Sequence, residues 1–265
     1  MKGETAANIN ILARFCGKRD LEALDRAALR ARYGIEQADV MVLFGGSILA
    51  GGDLLARAIA DRVARCFVIV GGVGHTTETL RRRVRAEYPS IQTDGLPEAE
   101  IFQRYLWEVH GCRADALETR STNCGNNITN LLELLKARGI EFESIILCQD
   151  ATMQNRMDAG FRKYAGDRRI INYAAYAATV IEEDSGLAFA EDIHGMWTME
   201  RYVNLLMGEI PRLTDDADGY GPNGKGFIAH VEVPEAVRKA SEALKGVCGG
   251  VIRPADPRYA TRGPK

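Results

Sequence analysis

The distribution of apolar and polar residues along the chain predicts an α/β protein. Short apolar runs, such as 40–44 and 67–70, alternate with longer stretches in which apolar residues recur at helical spacing. Continuous runs of this length are typical of strands buried on both faces of a parallel sheet. We therefore predict a mainly parallel sheet with helices on both faces. The predicted strands lie near residues 40–44, 67–70, 116–119, 144–148 and 170–173, and the predicted helices near 53–65, 76–87, 97–109, 125–138 and 151–165.

The alternation covers only the middle of the chain, so we divide the sequence into three regions. Residues 1–37 carry apolar residues at helical spacing and form an N-terminal helical segment, and residues 38–184 form the core that would bind a ligand. Residues 185–265 form a smaller, mainly helical C-terminal part. Within it, 193–207 is predicted as an amphipathic helix, and 208–226 as an irregular segment because it is rich in Gly, Asp and Pro.

Charge and cysteine content exclude several classes of function. The 265 residues include 34 basic and 36 acidic ones, and this balance favours neither nucleic acid nor a membrane surface as a partner. The arginines at 81–83 are predicted to form the solvated face of a helix. Six cysteines without a C-x-x-C pair and four scattered histidines argue against a metal site or a disulfide framework. With neither a signal peptide nor an apolar run of about 18 residues, we expect a cytoplasmic protein whose partner is a small molecule.

Two glycine-rich turns follow the first two predicted strands. Glycine at such a place allows a tight turn and leaves backbone N–H groups facing a ligand, although ordinary connections between strand and helix also contain it. Neither turn completes a dinucleotide or phosphate-loop motif. The candidate binding residues are Gly45, Gly46 and Ser47 in the first turn, and Gly71, Gly72, Gly74 and His75 in the second.

A run of amide and hydroxyl side chains follows the third predicted strand, at residues 121–127. A single polar residue is enough to cap the helix that begins there, so the length of the run favours hydrogen bonding to a ligand over capping alone. The candidate binding residues in this run are Ser121, Asn123, Asn126 and Asn127.

The turn after the fourth predicted strand supplies Gln149, Asp150, Met153 and Arg156. Asp150 is predicted to cap the next helix, and Met153 and Arg156 share one helical face. An arginine in the first turn of a helix suits a carboxylate or phosphate, so Arg156 would bind an anionic end of the ligand. A surface ion pair is the alternative.

Few residues suggest a catalytic role. His75 could be a general acid or base, or simply a turn residue, and Glu98 stands where an acidic residue also favours the start of a helix. Cys124 lies near a helix N-terminus, where the pKa of a thiol can fall, but no histidine is near it in the sequence.

Taken together, these segments resemble the YdcF-like proteins, cytoplasmic members of a bacterial superfamily of unknown function that includes the membrane-anchored SanA and ElyC proteins. The resemblance implies a Rossmann-like core that binds S-adenosylmethionine, and it implies no established reaction. Asn126 stands where the family commonly has Glu, which removes a charge from the pocket. The matching residues are Gly71–His75, Glu98-Ala99, 121–125, Asn127, Gln149-Asp150, 152–154, Trp197, 200–202 and positions within the C-terminal arm, 208–222.

Three hypotheses about function follow. The first is a protein that binds S-adenosylmethionine, with a methyltransferase as the corresponding enzyme. The second is a hydrolase or transferase that acts on a nucleotide-like or phosphorylated substrate, with His75 or Glu98 as acid or base. The third is a ligand sensor without catalytic activity, whose C-terminal arm reports occupancy to a partner.

Overall fold

A computed structural model describes residues 3–248 and confirms the predicted α/β fold. All five predicted strands are present, and they pair in parallel in the order β3-β2-β1-β4-β5. Each boundary falls within a few residues of its prediction because the buried apolar runs determine the strands. The strands are β1 (Ala38–Phe44), β2 (Ala64–Val70), β3 (Ala116–Glu118), β4 (Ser144–Cys148) and β5 (Arg169–Asn172).

Helices connect the strands and cover both faces of the sheet. One face packs against α6 and α7, and the other packs against α3, α4 and α5. The helices of the core are α3 (Ala50–Ala60), α4 (Thr77–Glu87), α5 (Glu98–His110), α6 (Cys124–Ala137) and α7 (Gln154–Ala165).

The strand side chains alternate between these two layers, which explains why the strands are apolar throughout. Along β1, Val42 and Phe44 join the cluster that contains Leu131 of α6 and Phe161 of α7, whereas Leu43 joins the larger cluster on the other face. Each fully buried side chain of this size contributes about 1.5–3 kcal/mol to folding.

The two ends of the described chain pack together on the face that also carries α3, α4 and α5. The N-terminal segment forms α1 (Glu4–Cys16) and α2 (Arg26–Tyr33), and the C-terminal part contributes α8 (Met199–Leu213) and α9 (Glu235–Cys248). Helix α1 contacts both α8 and α9, and its Leu12 belongs to the same buried cluster as their apolar side chains. Residues 249–265 of the predicted C-terminal part lie outside the described residues.

Two features beyond residue 173 differ from the prediction. An antiparallel hairpin, β6 (Val180–Glu183) with β7 (Gly186–Phe189), was not predicted because its strands carry only short apolar stretches with exposed acidic residues. The amphipathic helix begins at Met199 rather than at residue 193, because the Thr198 side chain caps it by accepting a hydrogen bond from Arg201 N–H. It also runs through Pro211 to Leu213, which shortens the predicted irregular segment. Of the helices described, none has the length and apolar character needed to cross a membrane.

Candidate functional site

The four turns identified in the sequence meet at the carboxyl edge of the sheet. The order of the strands reverses between β1 and β4, because β1 is followed along the sheet by β2 on one side and by β4 on the other. In open α/β sheets, ligands bind in the crevice at this reversal. The turns contact one another: Gly72 N–H donates to Ser121 Oγ at 3.1 Å, and a Cβ built on Gly46 would lie 3.8 Å from Gln149 Oε1.

Three glycines of the first two turns, Gly45, Gly71 and Gly72, allow close packing within the protein. None of the five glycines in these turns has a left-handed backbone, so the turns do not depend on a conformation that favours glycine. A Cβ on Gly71 would lie 3.0 Å from the Cβ of Glu98, and one on Gly72 would lie 2.8 Å from both Ser121 N and Thr119 O. At Gly46, by contrast, a Cβ would make only an ordinary contact.

Glu98 is the buried carboxyl group that fills the space beside Gly45 and Gly71. Its Oε1 accepts hydrogen bonds from the hydroxyl groups of Thr76, at 2.8 Å, and Thr77, at 2.9 Å. The residue is only 6% exposed, and this burial raises the pKa of the Glu98 carboxyl to about 7, against the opposing effect of the two hydroxyl groups. At neutral pH this group therefore exists in both protonation states.

Much of the polar run after β3 caps helix α6. The Asn123 side chain accepts hydrogen bonds from Gly125 N–H and Asn126 N–H, at about 3 Å. In return, Asn126 Oδ1 accepts from Thr122 N–H and Asn123 N–H at 2.9 Å. The two side chains thus form a reciprocal capping box. The amide of Asn127 forms no side-chain hydrogen bond among residues 3–248. Capping thus accounts for Asn123 and Asn126, and Asn127 is the amide best placed to serve a ligand.

Asp150 in the fourth turn organises several elements at once. Its Oδ1 accepts from Thr152 N–H and from the hydroxyl groups of Thr152 and Tyr176, at 2.8–2.9 Å, and its Oδ2 accepts from the Trp197 indole at 2.8 Å. The prediction that Asp150 caps α7 is wrong, because that helix begins four residues later, at Gln154, with Met153 at its N-cap. Asp150 instead holds a turn that is tied to Trp197 in the C-terminal part.

Arg156 is paired with a carboxylate of helix α8. Its Nε and Nη2 lie 2.5 Å and 3.0 Å from the two carboxylate oxygens of Glu209, and the two side chains are only 15% and 5% exposed. The pair is thus a buried link between α7 and α8 and not a surface ion pair. A role for Arg156 at an anionic end of the ligand stays a prediction.

The remaining candidates differ in burial. His75 is exposed at the start of α4, and Met153 is half-buried before α7. Burial raises the pKa of the Cys124 thiol, which is the opposite of the shift that would activate a nucleophile. Among the described residues, no group of three or more His, Cys, Asp or Glu side chains is arranged to hold a metal ion.

Residues 193–198, which we call the cover segment, cross the site between α3 and α4. Its His194 carbonyl accepts from Ala50 N–H at 3.1 Å, and its Met196 carbonyl accepts from Arg83 at 2.8 Å. Arg83 also donates to the Ser47 carbonyl at 2.6 Å, so it binds the cover segment to the first glycine turn. The prediction of a solvated face does not hold for Arg83, because helical periodicity alone cannot show what the C-terminal part covers.

A histidine fixes the same segment on its outer side. His194 Nδ1 lies 2.7 Å from Asp53 Oδ2, and its Nε2 lies 2.7 Å from Glu87 Oε1. Partial burial lowers the pKa of His194, but hydrogen bonds and attraction from the two carboxylates outweigh it and leave the pKa raised. The positive charge of the imidazolium is thus favoured between α3 and α4.

Little free space remains at the reversal point. A cavity of about 10 Å³ remains there, bordered by Phe44, Ile48, Gln149 and Asp150. A larger concavity of about 440 Å³ lies at the opposite, amino edge of the sheet, among charged side chains such as Asp39, Arg65 and Arg169. We assign the candidate site to the carboxyl edge because the turns with buried polar groups converge there.

Comparison with known proteins gives a structural likeness at low sequence identity. No family model matches the chain. A solved structure, that of E. coli tRNA N6-threonylcarbamoyladenosine dehydratase, TcdA, aligns with a TM-score of 0.31 and 13% sequence identity. The alignment covers 56% of this chain and 58% of that enzyme, so this chain spans little more than half of its length.

The first turn supplies the donors at this edge. Among residues 3–248, no hydrogen bond is donated by the backbone N–H groups of 46–49, which precede helix α3. Free N–H groups before a helix attract oxygen atoms of a ligand. Together with Glu98 and Asn127, they form a set of donors and acceptors that suits a polar small molecule.

Proposed function

We propose that the protein binds S-adenosylmethionine at the carboxyl edge of its sheet, where the strand order reverses between β1 and β4. This reversal is the observation that carries the proposal. The free N–H groups of residues 46–49 support it, because they offer donors to the polar groups of such a ligand. The identity of the ligand rests on the resemblance of the sequence to the YdcF-like proteins.

Binding at this edge requires the site to open, and we infer that the cover segment moves, because its Trp197 is bound to Asp150, which borders the cavity. A cavity of about 10 Å³ holds no more than a water molecule, whereas a nucleoside needs a pocket of a few hundred cubic ångströms. The segment is held by a small number of hydrogen bonds, those of His194, Met196 and Trp197, and it carries no regular secondary structure of its own. Its displacement would open the crevice without unfolding a helix.

A second candidate function is hydrolysis or group transfer on a nucleotide-like or phosphorylated substrate. The observation that favours it is Glu98, because a buried carboxyl group with a pKa of about 7 can both give and accept a proton at neutral pH. In that case the helix N-terminus beyond Gly46 would bind the phosphate.

Isothermal titration calorimetry distinguishes the two candidates. The purified protein is titrated with S-adenosylmethionine and, in parallel, with ATP. We expect S-adenosylmethionine to bind at one site and, at 100 times its dissociation constant, to stabilise the protein by about 2.7 kcal/mol in a thermal unfolding experiment. Binding of ATP without binding of S-adenosylmethionine would support the second candidate and reject the first.

A further inference from the structure

Glu98 has a free carboxylate oxygen at the edge where the ligand is proposed to bind. Both of its side-chain hydrogen bonds, from Thr76 and Thr77, go to Oε1, and among residues 3–248 none goes to Oε2. Oε2 also keeps some contact with solvent. Among the described side chains, Arg81 Nε is the one fully buried polar atom without a hydrogen-bond partner, so Oε2, which has no partner either, is not fully buried. A residue that is 6% exposed therefore keeps one oxygen available to a bound molecule.

The direction of this oxygen is set by the first glycine turn. Oε2 lies so close to Gly45 that any side chain at residue 45 would overlap it. The main chain of Glu98 and Ala99 is bound to the second turn, with Glu98 N–H donating to the Gly72 carbonyl at 2.9 Å and Ala99 N–H to the Gly71 carbonyl at 2.8 Å. The free oxygen is thus fixed between the ends of β1 and β2.

This is the place where nucleotide-binding sheets of the same strand order carry a carboxylate for the ribose hydroxyl groups, usually from the end of β2 itself. Here residues 71–77, which follow β2, include no Asp or Glu. The carboxylate at this position comes instead from the first residue of α5, which lies much later in the sequence but against the same strand end.

We propose that Glu98 is a ligand-binding residue whose free oxygen accepts a hydrogen bond from a ribose hydroxyl group, so that the site selects ribonucleosides. The inference rests on the proposed function but makes a narrower claim about it. Because the charged carboxylate is a stronger acceptor than the protonated acid, ligand binding would favour loss of the proton from Glu98, whose pKa in the free protein is about 7.

The test titrates the protein directly with adenosine and with 2′-deoxyadenosine, because neither nucleoside titrates near neutral pH. Wild type is compared with Glu98→Gln, whose amide keeps the size of the side chain and its contact with the two threonine hydroxyl groups. Glu100→Gln, two residues along the same helix turn, is the matched control, since it removes the same charge outside the site.

For wild type and the control we expect adenosine to bind at least about tenfold more tightly than 2′-deoxyadenosine, which is the difference expected for a hydrogen bond to a charged group. In Glu98→Gln we expect that preference to fall to a few-fold, because the amide offers the hydroxyl group a neutral donor in place of a charged acceptor. The affinity of wild type for adenosine should also rise about tenfold between pH 6 and pH 8, and that of Glu98→Gln should not change.

Several outcomes would overturn the inference. They are an unchanged ribose preference in Glu98→Gln, the absence of any preference in wild type, and an affinity that falls as the pH rises. If the protein binds adenosine but does not bind S-adenosylmethionine, the proposed function is rejected and the role of Glu98 stands. If wild type binds neither compound, both proposals fail.

Discussion

At the scale of the residue, a methyl group added at Gly72 has no room, because it would press on the backbone of Ser121 and on the Thr119 carbonyl. We expect Gly72→Ala to lower the free energy of unfolding by about 1–3 kcal/mol, as overpacking against rigid backbone does. Gly46→Ala is the matched control, and it should change stability by less than about 1 kcal/mol. Urea denaturation measures both, and equal effects would show that the turn after β2 yields easily.

Glu98 gives the stability of the protein a dependence on pH. Burial raises the pKa of its carboxyl from 4.5 to about 7, so the folded protein binds more protons than the unfolded chain between these values. The stability that depends on this proton is complete below pH 4.5 and is lost as the pH rises to about 7. We therefore expect Glu98→Gln to gain on the order of 3 kcal/mol relative to wild type between pH 4.5 and pH 8, as measured by urea denaturation. A constant difference across this range would contradict the shifted pKa.

At the scale of the element, the pair between Arg156 and Glu209 links α7 to α8. Arg156→Met would leave the buried Glu209 carboxylate with only the longer contact to Arg212 Nη1, at 3.6 Å, and we expect it to cost about 3 kcal/mol of stability. The double variant Arg156→Met, Glu209→Leu removes both charges, so it should recover much of that loss. Chemical denaturation of the single and double variants tests this coupling. If Arg156→Met weakens ligand binding but leaves stability unchanged, the guanidinium serves the ligand rather than the link.

The cover segment yields a second prediction at this scale. Trp197→Phe removes the hydrogen bond to Asp150 but keeps an aromatic ring, so it weakens the closed arrangement. Because the ligand must displace the segment, we expect the variant to bind S-adenosylmethionine about three- to tenfold more tightly than wild type. Trp107→Phe, on the exposed side of α5, is the control and should bind as wild type does. Weaker binding by Trp197→Phe would mean that Trp197 contacts the ligand.

The sequence predicted the elements of the core better than the contacts between them. The strands could be predicted because an apolar run such as that of β1 is recognisable without knowing which residues pack against it. Two contacts could not be predicted. The position of Arg83 beneath the cover segment, and the pairing of Arg156 with Glu209, join residues more than fifty positions apart that only the folded chain brings together.

At the scale of the whole molecule, the described ends of the chain and the sheet share one buried cluster. Since α1, α8 and α9 pack into the same cluster as α3 and α5, we expect residues 3–248 to unfold in a single transition. The two tryptophans make this testable. Fluorescence of Trp107→Phe reports on the cover segment alone, and fluorescence of Trp197→Phe reports on α5 alone. In each variant, the midpoint from fluorescence should coincide with the midpoint from far-ultraviolet circular dichroism of the same variant. An earlier fluorescence transition of Trp197 would indicate that the C-terminal part unfolds as a separate unit.

The attachment of the cover segment at several points has a consequence in time as well as in affinity. Opening requires the contacts of His194, Met196 and Trp197 to break together, and such openings in proteins take microseconds to milliseconds or longer. Ligand molecules that arrive during the closed interval leave again without binding. In rapid-mixing experiments the observed binding rate should therefore stop rising at high ligand concentration, at a ceiling equal to the opening rate.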